Sequence, residues 1–275
     1  MSRKSEGNIC EGSGKVKYRR YCIHAYHTAL FTAVPPEHLE GLDGEFERLL
    51  QSFHFESASS FLDILLSSGA VISGSAALAL ALPGVFVPRD LDIYVPSYGA
   101  AMVIVYLENH NYKLDPVYTP GAGQYDNGAV VFKMFHLGPP AEINIIIFRE
   151  EHFVGHIVNF HSTIVMNYVS WYGLVCLYPE WTQKKKGLIV VDTIISKASF
   201  KKYEERGFTL VRDNRKLTDN MDAHFCTIGS ECPETERCLH NEECAFVPFE
   251  GHTSRLEAFE RPITWTLPVK CGYGT

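Results

Sequence analysis

The sequence lacks the short motifs by which several large enzyme classes are recognised. It contains no Gly-x-Ser-x-Gly nucleophile elbow, no P-loop and no His-Glu-x-x-His metal motif. It also lacks an excess of basic residues, because the formal net charge is −7 and the sequence pI is about 5.9. A strongly basic surface for nucleic acid is therefore absent from the chain as a whole, which leaves only local basic patches to consider.

The sequence also lacks the pattern of a secretory signal, and it offers only a weak case for a membrane span. The opening stretch MSRKSEGNIC carries charge and is followed by no apolar run. Ile64 to Pro88 contains no charged residue and is long enough to span a membrane, but Gly69, the triplet Ser73-Gly74-Ser75 and Pro83-Gly84 interrupt it. We interpret the stretch as a helix, a buried strand and a second helix, and we expect an intracellular protein, cytoplasmic or nuclear, with no membrane partner.

Eight cysteines are present, and without a secretory signal they are expected to be thiols or metal ligands rather than disulfides. Thiolates and imidazoles suit a tetrahedral Zn²⁺ site. The closely spaced cysteine pairs of most zinc modules are missing, so the alternative is a set of unrelated thiols in a polar segment. The candidate zinc ligands stand six residues apart, with His224 and His240 nearby: Cys226, Cys232, Cys238 and Cys244.

The most informative feature is a strand, a small-residue turn, a short helix and then an acidic pair on another strand. Ser73-Gly74-Ser75 follows the apolar run Ala70-Val71-Ile72, and a turn of small residues at a helix N-terminus exposes N–H groups that favour phosphate. Asp90 and Asp92 alternate along an extended segment, so their side chains share one face. Two carboxylates on one face can hold Mg²⁺ or Mn²⁺ together with substrate phosphates.

These residues resemble the pattern of the nucleotidyltransferase superfamily, in which Gly-Gly or Gly-Ser precedes an Asp-hydrophobic-Asp strand. The resemblance covers roughly residues 60–150, although the gap before Asp90-Leu91-Asp92 is slightly longer than usual. It implies that Ser73, Gly74 and Ser75 bind the nucleotide and that Asp90 and Asp92 hold the metal. It also implies transfer of a nucleoside monophosphate from a nucleoside triphosphate to a hydroxyl on a protein, a nucleic acid such as RNA, or a small molecule.

Three longer blocks resemble a group of proteins from mushroom-forming fungi. These blocks are SGSAALALALPGVFVPRDLDIYV, NFHSTIVMNYVSWYGLVCLYP and KYEERGF. The resemblance covers most of residues 60–210 and implies the same nucleotidyltransferase-like core, but it implies no particular reaction.

A third carboxylate usually completes the site of this superfamily, and here its position is ambiguous. In the predicted strand that starts at Glu142, residues 142 and 144 share a face. Alignment by the apolar run that follows puts Asn144 at the third position, where it can contact nucleotide but is a poor general base. If Glu142 reaches the metal, the site has three acids and can act as an enzyme. If it points away, the protein is a catalytically silent nucleotide-binding or scaffold protein.

Two further groups allow both a functional and a structural interpretation. His161-Ser162 lies in an apolar setting, where we expect a serine that caps a helix and a histidine whose hydrogen bonds are made within the protein, rather than catalysis. A dense basic region is either a clamp for triphosphate or RNA beside the acidic site or, as we favour, a solvated helix face. Its members are Lys184, Lys185, Lys186, Lys197, Lys201, Lys202 and Arg206.

The predicted fold is an α/β protein with a mixed β-sheet of about four or five strands, flanking helices and a helical C-terminal subdomain. We divide the chain into a flexible N-terminal tail over residues 1–20, a nucleotidyltransferase-like core over 21–150, and a helical subdomain over 151–210. An irregular, cysteine-bearing segment occupies 211–275. Within this scheme Phe160 to Trp171 is predicted to be helical, and the segments from Ala129 and Glu142 are predicted to be two antiparallel strands.

Overall fold

The computed structural model describes the backbone of residues 16–18 and all of residues 41–115, 129–149, 152–194, 196–217, 232–239, 244–251 and 263–272. The helices are α1 Leu42–Ser52, α2 Ala58–Ser68, α3 Gly74–Ala81, α4 Ala100–Asn109, α5 Val154–Ile157, α6 Pro179–Gln183 and α7 Ser196–Glu205. Two short 3₁₀ turns cover Thr163–Val165 and Asn214–Lys216.

The strands are β1 Val16–Tyr18, β2 Val71–Ser73, β3 Asp90–Pro96, β4 Tyr112–Leu114, β5 Val130–His136, β6 Glu142–Phe148, β7 Asn167–Ser170, β8 Gly173–Cys176, β9 Lys186–Leu188, β10 Thr209–Val211, β11 Arg237–Cys238, β12 Ala245–Pro248 and β13 Ile263–Trp265. Eight of them form one mixed sheet in the order β12-β8-β7-β2-β3-β6-β5-β4. All neighbours in this sheet are antiparallel except β3 and β6, which run parallel. Smaller sheets have the orders β1-β13-β11 and β10-β9.

The central sheet is covered on both faces. Leu91, Ile93 and Val95 of β3 are buried in a cluster with apolar residues of α1, α2, α3 and α4. Tyr94, whose side chain points to the opposite face because side chains alternate along a strand, belongs to a second cluster that includes residues of α5, α6 and β13. Asp90 and Asp92 lie on the same face as Tyr94, at the start of the strand, where polar side chains replace this second apolar cluster.

The architecture confirms the predicted mixed α/β sheet with flanking helices. The uncharged stretch is indeed divided into α2, β2 and α3, and Gly69 ends α2 with a φ of 67°, the left-handed conformation that glycine adopts at little cost. The strands β5 and β6 form the predicted antiparallel pair, with Lys133 opposite Asn144. No helix among the described residues is long and apolar enough to cross a membrane.

Two details of the prediction need correction. Phe160–Trp171 is not a helix: it contains a 3₁₀ turn and β7. A continuous apolar run fits a buried strand as well as a buried helix, and periodicity cannot separate the two. The central sheet therefore has eight strands rather than four or five, because β7, β8 and β12 extend it beyond β2.

Candidate functional site

The turn between β2 and α3 brings the backbone against an acidic side chain. Gly74 has a φ of 66°, and a Cβ atom built on it would lie 2.4 Å from Oδ2 of Asp92. Only glycine satisfies both conditions, since an L-residue would be strained by the φ and would collide with the carboxylate. The glycine of the predicted motif is therefore required at this position by the close approach of Asp92.

The N-terminus of α3 has no side-chain cap. Its N-cap residue is Ser73, which makes no capping hydrogen bond and whose Oγ donates to the backbone oxygen of Asn167, at 2.5 Å. The N–H groups of the first helical turn therefore remain available to an anionic ligand, since they have no intrahelical partner.

The acidic pair is aligned with polar residues of the neighbouring strand. In the parallel pairing of β3 with β6, Asp90 is opposite Glu142 and Asp92 is opposite Asn144. Ser75 Oγ donates to Oδ1 of Asp90 at 3.2 Å, and Nδ2 of Asn144 donates to Oδ1 of Asp92 at 2.9 Å. The hydroxyl of Ser75 and the amide of Asn144 thus fix the directions of the two carboxylates.

The charge of this pair is poorly compensated. Burial first, and then the negative charge of Asp90, raise the pKa of Asp92 from 3.8 to about 7. Among the described residues, no basic side chain lies within ion-pairing distance of either carboxylate. A divalent cation would supply the missing positive charge.

The chemistry of the donor set fits a hard cation. Both aspartates present carboxylate oxygens, which Mg²⁺ prefers. The Oδ1 atom of Asn144 is buried and has no hydrogen-bond partner among the described residues, so a neutral oxygen is also free to face a ligand. Asp90 and Asp92 could hold one metal ion, with Asn144 beside them.

Glu142 is beside the pair but is engaged elsewhere. Its Oε1 atom accepts a hydrogen bond from Nζ of Lys133 at 2.5 Å, and both side chains are about one-third exposed. In the part of the chain that the structure describes, no three His, Cys, Asp or Glu side chains are grouped so that they could hold a metal ion. The assignment of Glu142 as a third acid therefore stays a prediction.

The basic region divides into two sets. Lys184, Lys185, Lys197 and Lys201 are exposed, as expected for a solvated face. Lys186, Lys202 and Arg206 are half-buried, and the charge of Lys202 contributes to the pKa values of both Asp92 and His161. The sequence analysis grouped all of these residues together, and i, i+4 spacing could not have separated Lys202 and Arg206, because the exposed Lys197 and Lys201 have the same spacing.

His161 is half-buried beside α7 rather than fully exposed. Its Nδ1 atom lies 2.9 Å from Oγ of Ser162, so this hydroxyl pairs with the ring and does not cap the following 3₁₀ turn. Burial, followed by the charge of Lys202, lowers the pKa of His161 to about 4. The ring is therefore neutral at physiological pH.

The predicted zinc ligands are only partly described. Cys226, His224 and His240 lie outside the described residues. Cys244 is buried, and its Sγ atom faces the backbone oxygens of Leu177 and Cys238, at 3.8 and 3.7 Å. The zinc site thus remains a prediction.

Comparisons with known proteins yielded matches only among solved structures. No family model matches the chain, and no curated protein matches its sequence. A CCA-adding enzyme in complex with CTP matches with a TM-score of 0.41 at 15% identity, over 62% of this chain and 44% of that one. The Thermotoga maritima CCA-adding enzyme in complex with tRNA matches with a TM-score of 0.41 at 17% identity, over 62% and 43%. A tRNA-processing enzyme in an apo form matches with a TM-score of 0.41 at 15% identity, over 68% and 47%. This chain is thus similar over less than half of the length of each of these solved chains.

Proposed function

We propose that this protein binds a nucleoside triphosphate together with Mg²⁺ and transfers the nucleoside monophosphate to a hydroxyl on a protein, a nucleic acid or a small molecule. The observation that carries the proposal is the uncompensated carboxylate pair Asp90 and Asp92 against the uncapped N-terminus of α3. A cation and a phosphate chain together satisfy both features, because the carboxylates require positive charge and the N–H groups favour negative charge.

Each residue has a definable part in this arrangement. Asp90 and Asp92 would hold the metal, which when bound neutralises phosphate charge and favours loss of the acceptor hydroxyl's proton. Ser75 and Asn144 keep the two carboxylates in place through their hydrogen bonds. The missing side chain at Gly74 leaves space for the carboxylate of Asp92 beside the helix N-terminus.

A second candidate function is nucleotide binding without turnover. Two observations favour it: Asn144, not an acid, is opposite Asp92, and Lys133 neutralises Glu142. A site with two acids can bind a nucleotide and metal, but it has no obvious base for the acceptor hydroxyl. The resemblance to fungal proteins implies no reaction and so does not separate the two candidates.

Binding is tested by calorimetry with ribonucleoside triphosphates and Mg²⁺. We expect metal-dependent binding by the wild type and its loss in Asp92→Asn, which keeps the shape of the side chain but removes the charge that holds the metal. Asp63→Asn on the exposed side of α2 is the matched control and should bind as the wild type does.

Because the pKa of Asp92 is raised to about 7, the metal competes with a proton, and affinity should increase as the pH rises through 7. Absence of metal-dependent binding by the wild type, or equal binding by Asp92→Asn, contradicts the proposal.

Turnover is tested by release of pyrophosphate. If Glu142 is the general base, Glu142→Gln should reduce turnover by about 100-fold or more, the usual contribution of such a group, and should leave nucleotide affinity nearly unchanged. Unchanged turnover in this variant contradicts the role of Glu142. A wild type that binds nucleotide but releases no pyrophosphate supports the silent candidate.

A further inference from the structure

The helix α7 is fixed beside the candidate site by its apolar face. Tyr203 is buried in one cluster with Leu78 of α3, the helix whose N-terminus borders the acidic pair. The ring of His161 contacts those of Phe200 and Tyr203, with centroids 5.5 and 5.7 Å apart. The position of α7 relative to α3 is thus set by packing rather than by charge.

A second contact fixes α7 to the loop that leads into β3. The guanidinium carbon of Arg206 lies 4.0 Å from the ring centroid of Phe86 and 5.3 Å from that of Tyr203. Phe86 is four residues before Asp90 in the sequence. The end of α7 is therefore held to the same loop that places the first aspartate.

Lys202 is on this helix, one residue before Tyr203, and differs from its neighbour Lys201. Lys201 is exposed and pairs with Glu205 at 3.8 Å. Lys202 is half-buried, and no acidic side chain among the described residues forms an ion pair with it. Its Nζ atom lies 5.5 Å from the ring centroid of Tyr203, the residue that is buried in one cluster with Leu78 of α3. The ammonium group is therefore on the side of α7 that meets α3, and its charge also acts on Asp92 and on His161.

The lack of an ion pair between Lys202 and the acidic pair indicates which kind of ligand could contact both. If Lys202 were a structural counterion, it would form a direct ion pair with Asp90 or Asp92. It forms no ion pair with either aspartate and lies over the ring of Tyr203 instead, so no acidic side chain among the described residues cancels its charge. A ligand that satisfies both sides must carry negative charge toward the lysine and must share a cation with the carboxylates, and a phosphate chain with bound Mg²⁺ does both.

We propose that Lys202 binds the phosphate chain of the substrate and so selects triphosphates over nucleosides. This assignment rests on the proposed nucleotide site, and it gives α7 a part in substrate recognition. Arg206 and Tyr203 keep the helix in place, and the ammonium group of Lys202 contacts the end of the phosphate chain that is remote from the first turn of α3.

The test measures the affinities of the wild type for ribonucleoside triphosphates, nucleosides and inorganic tripolyphosphate, each with Mg²⁺, and repeats them for three variants. Lys202→Met keeps the apolar stem but removes the charge, Lys202→Arg restores the charge, and Lys201→Met is the matched control on the same helix. We expect Lys202→Met to weaken binding of triphosphate and tripolyphosphate by roughly tenfold or more, as for a lost hydrogen bond to a charged group. Nucleoside affinity should not change, Lys202→Arg should recover most of the loss, and Lys201→Met should match the wild type.

The outcomes separate this proposal from the proposed function. If Lys202→Met binds triphosphates as tightly as the wild type does, Lys202 is not a phosphate ligand, although the nucleotide site stands. If the wild type binds tripolyphosphate through Lys202 but does not prefer nucleotides to it, the lysine site stands and the nucleotide function falls. If the wild type binds neither compound, both proposals are overturned.

Discussion

At the scale of single residues, the contact between Gly74 and Asp92 joins the two sequence motifs into one site. The left-handed φ of Gly74 allows the chain to turn from β2 into α3, and the missing side chain leaves space for the carboxylate. The geometry explains why a turn of small residues and an acidic strand occur together here. Without the contact between Gly74 and Asp92, neither motif would require the other to be present.

Gly74→Ala tests this contact. The substitution should cost about 1–2 kcal/mol of unfolding free energy from backbone strain alone, and it should displace Asp92, whose Oδ2 atom lies 2.4 Å from the position of the new Cβ. Gly84→Ala is the control, because Gly84 also has a positive φ, of 78°, but has no atom within 4 Å of the added group. Denaturant unfolding and Mg²⁺-dependent nucleotide binding are measured for both variants.

We expect both variants to lose stability, but only Gly74→Ala to lose binding. Equal binding by the two variants would show that the carboxylate of Asp92 does not depend on the space above Gly74.

The sequence predicted part of this site for a clear physical reason. Alternation along a strand placed Asp90 and Asp92 on one face, and the same rule placed Glu142 and Asn144 together. The pairing of Lys133 with Glu142 was not predicted, because it depends on the register between β5 and β6, which a single sequence does not specify. The sequence also left open whether Lys202 lies beside the acidic pair or on a solvated face, since this depends on how α7 packs.

At the scale of elements, the strands that carry the site are covered on their other face by α2 and α4, which meet in a close junction. A Cβ atom on Gly99 would lie 2.1 Å from the backbone oxygen of Ser68, the last residue of α2. Gly99 has a φ of −92°, so the requirement for glycine here is steric rather than conformational. The two helices cover β2 and β3 on the face opposite the acidic pair.

Gly99→Ala should therefore force the two helices apart and cost about 1–3 kcal/mol, as overpacking of a tight contact usually does. Gly44→Ala in α1 is the control, because the added Cβ would meet only the flexible end of Arg48, at 3.7 Å. That variant should be neutral or stabilise the helix by up to about 1 kcal/mol. Denaturant unfolding is the measurement, and equal stability of the two variants would contradict the close packing of α2 on α4.

The elements predicted from the sequence were those with clear boundaries. The helix α2 has a capping serine, Ser57, whose side chain accepts from the N–H of Ser60, and a glycine at its end. The region around β7 has neither signal, and all four residues of β7 are buried. Its place between β2 and β8 is decided by tertiary pairing, so local sequence rules could not identify it.

At the scale of the whole molecule, the sheet separates two apolar layers, and the candidate site lies at the edge of one of them. The clusters on the two faces use different sets of helices, and α7 joins the edge through a third, smaller cluster. The candidate site draws on residues 73–92 and 142–144 and, in our proposal, on Lys202, which are far apart in the sequence. The geometry of the site should therefore depend on the stability of the whole fold. That stability depends on pH, because titratable groups removed from solvent have different pKa values in the folded and unfolded states.

His152 and His161 provide the test of that dependence. Burial lowers the pKa of each to about 4, from 6.5, so the folded state excludes a proton that the unfolded chain accepts. Their contribution is fully present above pH 6.5 and is lost as the pH falls through about 4, by up to about 3 kcal/mol for each histidine. Asp92 acts in the opposite direction, since its raised pKa makes its protonation stabilising as the pH falls from 7 toward 4.

The difference in unfolding free energy between wild type and His161→Asn isolates the histidine, because Asp92 is common to both proteins. We expect this difference to shrink by up to about 3 kcal/mol between pH 7 and pH 4, with His152→Asn behaving alike, and denaturant unfolding across that range measures it. A difference that stays constant with pH would mean that His161 accepts its proton without cost to the fold.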